Sequence, residues 1–267
     1  MRKCILGLWT PIVIILALTT ISWRSVNREI VRPLTVDTTT VQPSKTVNSD
    51  SLYNNYISKL YDSAGLELSG LRLEVFEKAV TGFYNLKNSG KIAEDKSVVT
   101  IADFDLRSTE KRLWIIDLNK KTLLLNTWVA HGQGSGGDKA VNFSNTSESL
   151  KSSLGFYVTG EVYNGTHGRS LRLDGMDEGF NSNARRRAIV VHGANYVGPQ
   201  TISALGRLGR SQGCPAVPQS VVKKVIDNIA GGTVLFINSS DERFNSKYLD
   251  ETMMSTLKPW EGGADNV

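Results

Sequence analysis

The chain has 267 residues, a net charge of +5, and ordinary hydrophobic (40%) and charged (21%) content. That composition excludes a wholly disordered chain and a multi-span membrane protein. The basicity is local: residues 1–33 carry five basic side chains (Arg2, Lys3, Arg24, Arg28, Arg32) against Glu29, leaving 26 basic against 25 acidic in the remainder. The folded part therefore gives no reason to invoke nucleic acid.

Residues 1–23 read as a targeting segment, outside the fold. Arg2 and Lys3 precede an apolar run from Cys4 to Ile21, long enough to span a bilayer core as a helix. No A-x-A-like cleavage site follows, so an uncleaved signal anchor is favoured over a cleaved signal peptide. The expectation is an exported, extracytoplasmic domain, held at the inner membrane of a bacterial envelope by residues 4–21. Residues 24–50 form a linker, rich in Thr, Ser and Pro from position 33 onward.

Residues 51–90 predict a small helical subdomain. Leu52, Tyr53, Tyr56, Ile57, Leu60 and Tyr61 share one helical face. A second helix is expected to start at Ser69 as N-cap and to run through Leu73, Phe76, Val80, Phe83 and Tyr84 to about Gly90. From about residue 97 the period shortens to that of strands. SVVTIADF, RLWIIDL and TLLLNTWVA come first, the last two joined as a hairpin at Asn119-Lys120. GFYVTGEVY (155–163), SLRLDG (170–175), AIVVHG (188–193) and TVLFIN (233–238) follow. One helix carrying Val221, Val222, Val225, Ile226 and Ile229 intervenes after Pro218. Glycine marks the same shift, since 19 of the 24 lie after residue 130, as a turn-rich β domain requires. The expected class is mainly β with flanking helices (α+β), with a catalytic domain over 91–241 and a polar tail over 242–267.

Beyond the anchor there is one cysteine, Cys214, so no internal disulfide can form there. A lone thiol in an oxidising compartment is either a reactive nucleophile or a buried small apolar residue. Its surroundings favour the first. A strand ends in His192-Gly193, a loop follows, and then Ser211-Gln212-Gly213-Cys214. An imidazole fixed at a strand end can deprotonate a thiol or hold it as a thiolate–imidazolium pair. The backbone N–H groups of Gly213 and Cys214 can face a developing oxyanion. That chemistry is acyl transfer through a thioester.

These residues resemble the active-site signature of the L,D-transpeptidases of peptidoglycan, the YkuD-type catalytic domain, and most closely its murein L,D-transpeptidase subgroup. The resemblance spans roughly residues 97–238, including VAHGQGSG, SLGFYVTG, HGRSLRLDGMDEGFN, AIVVHGANYV and GRSQGCPAVP. It implies a β-sandwich catalytic domain acting on peptidoglycan stem peptides and needing no cofactor. Cys214 would attack the L,D-bond of a donor tetrapeptide, with His192 as base and the Gly193 carbonyl orienting the imidazole. Ser211 matches the Ser/Thr of the signature. Three positions depart from it. Gln212 stands where the family has a second His, so a second imidazole is expected to be absent. Ala216 stands where an Arg is frequent, leaving Arg210 or one of Arg185–Arg187 to replace it. The 18 residues between His192 and Ser211 are slightly more than usual.

His131, His167, Arg169, Ser170 and Arg210 are the candidate substrate contacts along the cleft; the alternatives are a tight turn stabilised by His131 and, at His167–Ser170, a strand-edge turn with solvated charges. Gly132, Gly134 and Gly137 fit G-x-G-x-x-G, but no helical pattern follows, which argues against dinucleotide binding. The histidines and thiol lack short ligand spacing, so no metal site is expected. Oligomeric state is not legible. Two other readings stand beside the transpeptidase. Water as acceptor would make an L,D-carboxypeptidase, and a structural Cys214 would leave a non-catalytic wall-binding module.

Overall fold

The computed structural model describes residues 49–251. The expected anchor (1–23), the linker to residue 48 and the tail beyond 251 lie outside the described residues. Among the described residues, no helix is long and apolar enough to cross a membrane.

Two helices come first, α1 (Ser49–Ser63) and α2 (Leu73–Asn88). Their apolar stripes are core, with Ile57 and Leu60 of α1 and Val75, Phe76, Ala79, Val80, Phe83 and Leu86 of α2 all buried. Helix α2 starts later than the sequence suggests. Ser69 ends a short 3-10 turn (Glu67–Ser69), Gly70 follows at φ 79, and Arg72 occupies the N-cap without a capping side chain. The cause is electrostatic: the Arg72 guanidinium bonds Asp103 and Asp105 at 2.9 Å each, tying the helix start to the sheet.

Eight strands follow: β1 (Val98–Asp103), β2 (Leu113–Asp117), β3 (Thr122–Thr127), β4 (Gly155–Gly165), β5 (Gly168–Gly175), β6 (Val190–Ala194), β7 (Ala216–Pro218) and β8 (Val234–Asn238). They form one mixed sheet in the order β3-β2-β1-β8-β4-β5-β6-β7. The β1–β8 and β6–β7 pairs are parallel, and the other pairs are antiparallel. Both faces of the central strands are covered. Val99, Ile101, Trp114, Ile116, Phe156 and Phe236 pack beneath α1 and α2. Ala102, Leu113, Ile115, Tyr157, Leu235 and Ile237 join a second core with helix α4 (Val222–Ile229). Burial on both faces explains why these strands read as nearly unbroken apolar runs.

The expected sandwich takes the form of this one sheet turned back on itself. The chain leaving edge strand β3 meets the other edge strand, β7, where Ala130 and Ala216 form an antiparallel bridge, and Gly132 then bridges Ser211. Two short elements lack a sequence signal, the helix α3 (Pro199–Leu205) and β7 itself. The start of the supposed tail is also packed: Tyr248 is buried, and Asn85 Nδ2 donates to the carbonyls of Tyr248 (2.8 Å) and Asp250 (2.9 Å). Residues 242–251 thus belong to the domain.

Candidate active site

Strand β6 is buried throughout and sits between β5 and β7, in the register Ser170↔His192↔Ala216. This fixes the His192 backbone at the centre of a paired strand. Its ring is also fixed, because Nδ1 lies 3.0 Å from the Gly193 carbonyl oxygen. A carbonyl can only accept, so Nδ1 carries the proton and Nε2 keeps its lone pair.

The turn from Ser211 to Cys214 is held from several sides. Ser211 N–H donates to the His131 carbonyl (3.0 Å), and Gln133 N–H donates to the Ser211 carbonyl (2.8 Å). The Ser211 hydroxyl accepts from Gly213 N–H (3.0 Å) and donates to the Cys214 carbonyl (2.6 Å), closing the turn on itself. Ser152 Oγ donates to the Gly213 carbonyl at 3.2 Å. Gly213 has φ 127, and a Cβ there would press on the Lys151 carbonyl oxygen at 2.8 Å. The glycine is therefore required twice, by conformation and by space. One expectation needs correcting: Gly213 N–H is engaged by Ser211 and does not face the cleft. Cys214 N–H makes no hydrogen bond among the described residues.

The thiol is partly exposed. Val190 N–H donates to Sγ at 3.4 Å, and Sγ donates to the Ala188 carbonyl at 3.7 Å. Burial pushes the Cys214 thiol above its ordinary value, partly offset by the Val190 N–H and the Arg187 charge. Burial also pushes His192 down, against the Gly193 carbonyl and with the His167 ring. Both shifts favour the uncharged form of their group, and the sulfur's acceptor is the Ala188 carbonyl.

Both groups line one cavity of about 640 Å³. Its walls are the tip of the β4–β5 hairpin with Tyr163 and His167, residues 133–150 with Gln133, Glu148 and Leu150, the 187–190 segment, Tyr196, and the turn from Arg210 to Cys214. The candidate contacts divide. His167, Arg210 and Gln212 line the cavity. Arg169 is instead paired with Asp227 at 2.7 Å. Ser170 is buried and donates to the Gly168 carbonyl at 3.0 Å.

His131 is not a cleft residue. It is 1% exposed, and its Nδ1 accepts from the equally buried Arg112 at 2.7 Å. Nε2 faces the Gly136 and Gly137 backbone without reaching an ordinary hydrogen bond. Arg112 also donates to the carbonyls of Leu106 and Val129 and lies over the Phe104 ring. This buried cation has no carboxylate within ion-pair distance among the described residues; backbone carbonyls satisfy it.

The run of three arginines also splits. Arg185 lies on the exposed face, bound to Glu161 and Asp174. Arg187 turns inward, donating to the carbonyls of Ser144 (2.7 Å) and Lys151 (2.6 Å) and to the hydroxyls of Ser149 and Ser153. It braces the 144–153 wall and sets a positive charge near Cys214. Glu148 and Leu150, at φ 60 and 58, carry no sequence signal that could have assigned them to the wall. Among the described residues, no three His, Cys, Asp or Glu side chains gather as metal ligands.

The family model of the L,D-transpeptidase catalytic domain matches residues 67–238. A comparison with curated proteins finds no match. Solved structures similar to this chain include an L,D-transpeptidase from Mycobacterium smegmatis (13% identity, 54% of this chain and 59% of that one, TM-score 0.33). The L,D-transpeptidase from Xylanimonas cellulosilytica is 14% identical, over 55% of this chain and 63% of that one, with a TM-score of 0.34. The helical cell shape determining protein Pgp2 from Campylobacter jejuni is 15% identical, over 58% and 52%, with a TM-score of 0.39. The chain thus covers less than two thirds of the length of each.

Proposed function

This chain belongs to the L,D-transpeptidase catalytic-domain family, and from that premise we propose that it is a thiol acyltransferase acting on peptidoglycan stem peptides. The observation that carries the reading is the shared cavity of Cys214 and a His192 ring whose Nδ1–H is committed to Gly193. Cys214 Sγ attacks the carbonyl of the L,D-bond in a donor tetrapeptide, and His192 Nε2 takes the thiol proton. The C–N bond breaks, the D-residue amine leaves with that proton, and a thioester remains. An acceptor amine then attacks the thioester, gives its proton to His192 and releases the thiol. Arg187 supplies positive charge beside the sulfur, the part that Ala216 cannot play. Residues 4–21 hold the domain outside the cytoplasmic membrane.

The test is purified protein with disaccharide-tetrapeptides. Crosslinked dimers lost in Cys214→Ala support the proposal, and their absence from the wild type refutes it. A tripeptide product without dimers makes water the acceptor, and the enzyme an L,D-carboxypeptidase. The resting thiol, turned to Ala188 and raised by burial, favours a second reading, a wall-binding module with a structural cysteine. A covalent carbapenem adduct at Cys214 in intact mass excludes that reading.

A further inference from the structure

The signature position for a second histidine holds Gln212, yet the structure supplies a second imidazole from elsewhere in the chain. His167 stacks on His192 with ring centroids 4.2 Å apart and planes 19° apart. It comes from the tip of the β4–β5 hairpin, where Gly165 pairs with Gly168 across the two-residue turn Thr166-His167. A register shift between Thr159 and Val162 breaks the ladder partway along the hairpin, as bulges do where a strand is bent toward a site. Beyond the shift, Ser170 and Leu171 still pair with β6, and the hairpin is braced further out by Arg172 over the Tyr163 ring at 4.5 Å and by the Arg169–Asp227 pair. His167 itself is exposed, so its place on His192 is not a by-product of core packing.

We propose that His167 is the positioning residue of the catalytic imidazole: its ring caps one face of His192 and holds the orientation set by Gly193. This rests on the acyltransferase reading. A neutral ring on that face stabilises the imidazolium that forms when Nε2 takes the thiol proton. A protonated His167 would place like charges face to face and oppose it. The neighbouring strands add no ionisable group opposite His192, since its register partners are Ser170 and Ala216. The other ionisable groups around the cavity are Cys214 and Tyr196 on the His192 side, Tyr163 on the hairpin, and Arg187, Arg210 and Glu148 across it.

Two measurements test this. The first follows the His192 ring signals by NMR against pH, in wild type and in His167→Phe, and needs no activity. The expected result is that His192 titrates at higher pH in the variant, because the opposing charge is gone. Unchanged His192 titration overturns the proposal. The second measures crosslinking kinetics. His167→Ala is expected to lower kcat by roughly 10- to 100-fold, as expected for lost orientation, with KM little changed. His167→Phe is expected to restore most of kcat and to move the acid limb of the pH profile upward with His192. A Phe variant as inactive as the Ala variant overturns the proposal, because the nitrogens would then be acting on substrate. A His192 titration that rises in His167→Phe, in a protein that makes no crosslinks, would refute the acyltransferase reading alone.

Discussion

Replacing His131 with Asn tests its placement in the core. Burial, with the Arg112 charge beside it, brings His131 from 6.5 down to about 4. The folded pKa lies below the unfolded one, so between pH 6.5 and 4 the unfolded chain holds more protons. Stability contributed by His131 is complete above pH 6.5 and is lost as pH falls toward 4. At about 1.4 kcal/mol per unit, the loss is about 3 kcal/mol. Asn keeps an acceptor for Arg112 and does not titrate. Asp177 acts in the opposite sense, because burial raises it from 3.8 to about 6. The folded state then holds the extra proton, and stability falls by about 3 kcal/mol as pH rises from 4 to 6. The assay is urea unfolding at several pH values from 4 to 7.5 for wild type, His131→Asn and Asp177→Asn. Relative to wild type, His131→Asn should gain about 3 kcal/mol between pH 7 and 4, and Asp177→Asn should lose a similar amount between pH 6 and 4. A His131→Asn difference constant with pH would mean that His131 is solvated, and would refute its burial beside Arg112.

Arg187→Met removes four hydrogen bonds from the 144–153 wall and the charge beside Cys214, and should slow carbapenem adduct formation about 100-fold. Arg187→Lys should recover little of it, since one ammonium cannot serve four separate acceptors; intact-mass time courses decide. Gly82→Ala should cost about 3 kcal/mol in urea unfolding, because a Cβ there would overlap the buried Phe156 ring. A loss below about 0.5 kcal/mol would contradict the packing of α2 on the sheet. In a Cys4→Ser background, iodoacetamide alkylation of Cys214 should still be accelerating between pH 7 and 9, as a thiol raised by burial requires. A plateau reached below pH 7 would mean that the resting group is already a thiolate.

The central strands were legible because burial on both faces leaves apolar runs such as VVTIAD and VLFIN. Strand β7 was not, because it has three residues, and Pro215 and Pro218 hide it. Ser69 is a good N-cap by type, but Arg72 has partners across the fold at Asp103 and Asp105, and tertiary charge pairing outweighed local propensity. At the site, Cys214 and His192 could be picked out because their neighbours Gly213 and Gly193 report backbone constraints. His131 stands beside glycines just as they do, yet it faces Arg112, nineteen residues earlier. Arg187 looked like one of three equivalent charges, and only the fold separates it from Arg185. The stacking of His167 on His192 joins a hairpin tip to a strand interior, a pairing that no spacing rule encodes.

The hydrogen bonding of the Ser211–Cys214 turn and that of its sulfur differ in kind. The backbone from Ser211 to Cys214 is held by ordinary hydrogen bonds from His131, Gln133, Ser152 and its own serine hydroxyl, and moving it would break several at once. The sulfur has two long contacts, at 3.4 and 3.7 Å, and sulfur is both a weak donor and a weak acceptor. Turning the side chain about its Cα–Cβ bond therefore costs little beside displacing the turn. On the acyltransferase reading, the sulfur can give up its Ala188 contact when a peptide carbonyl enters the cavity that it shares with His192. The carbon it attacks is then met by a backbone already in place. On that reading, rigidity resides in the turn, and the freedom that the chemistry needs resides in the sulfur's weak contacts.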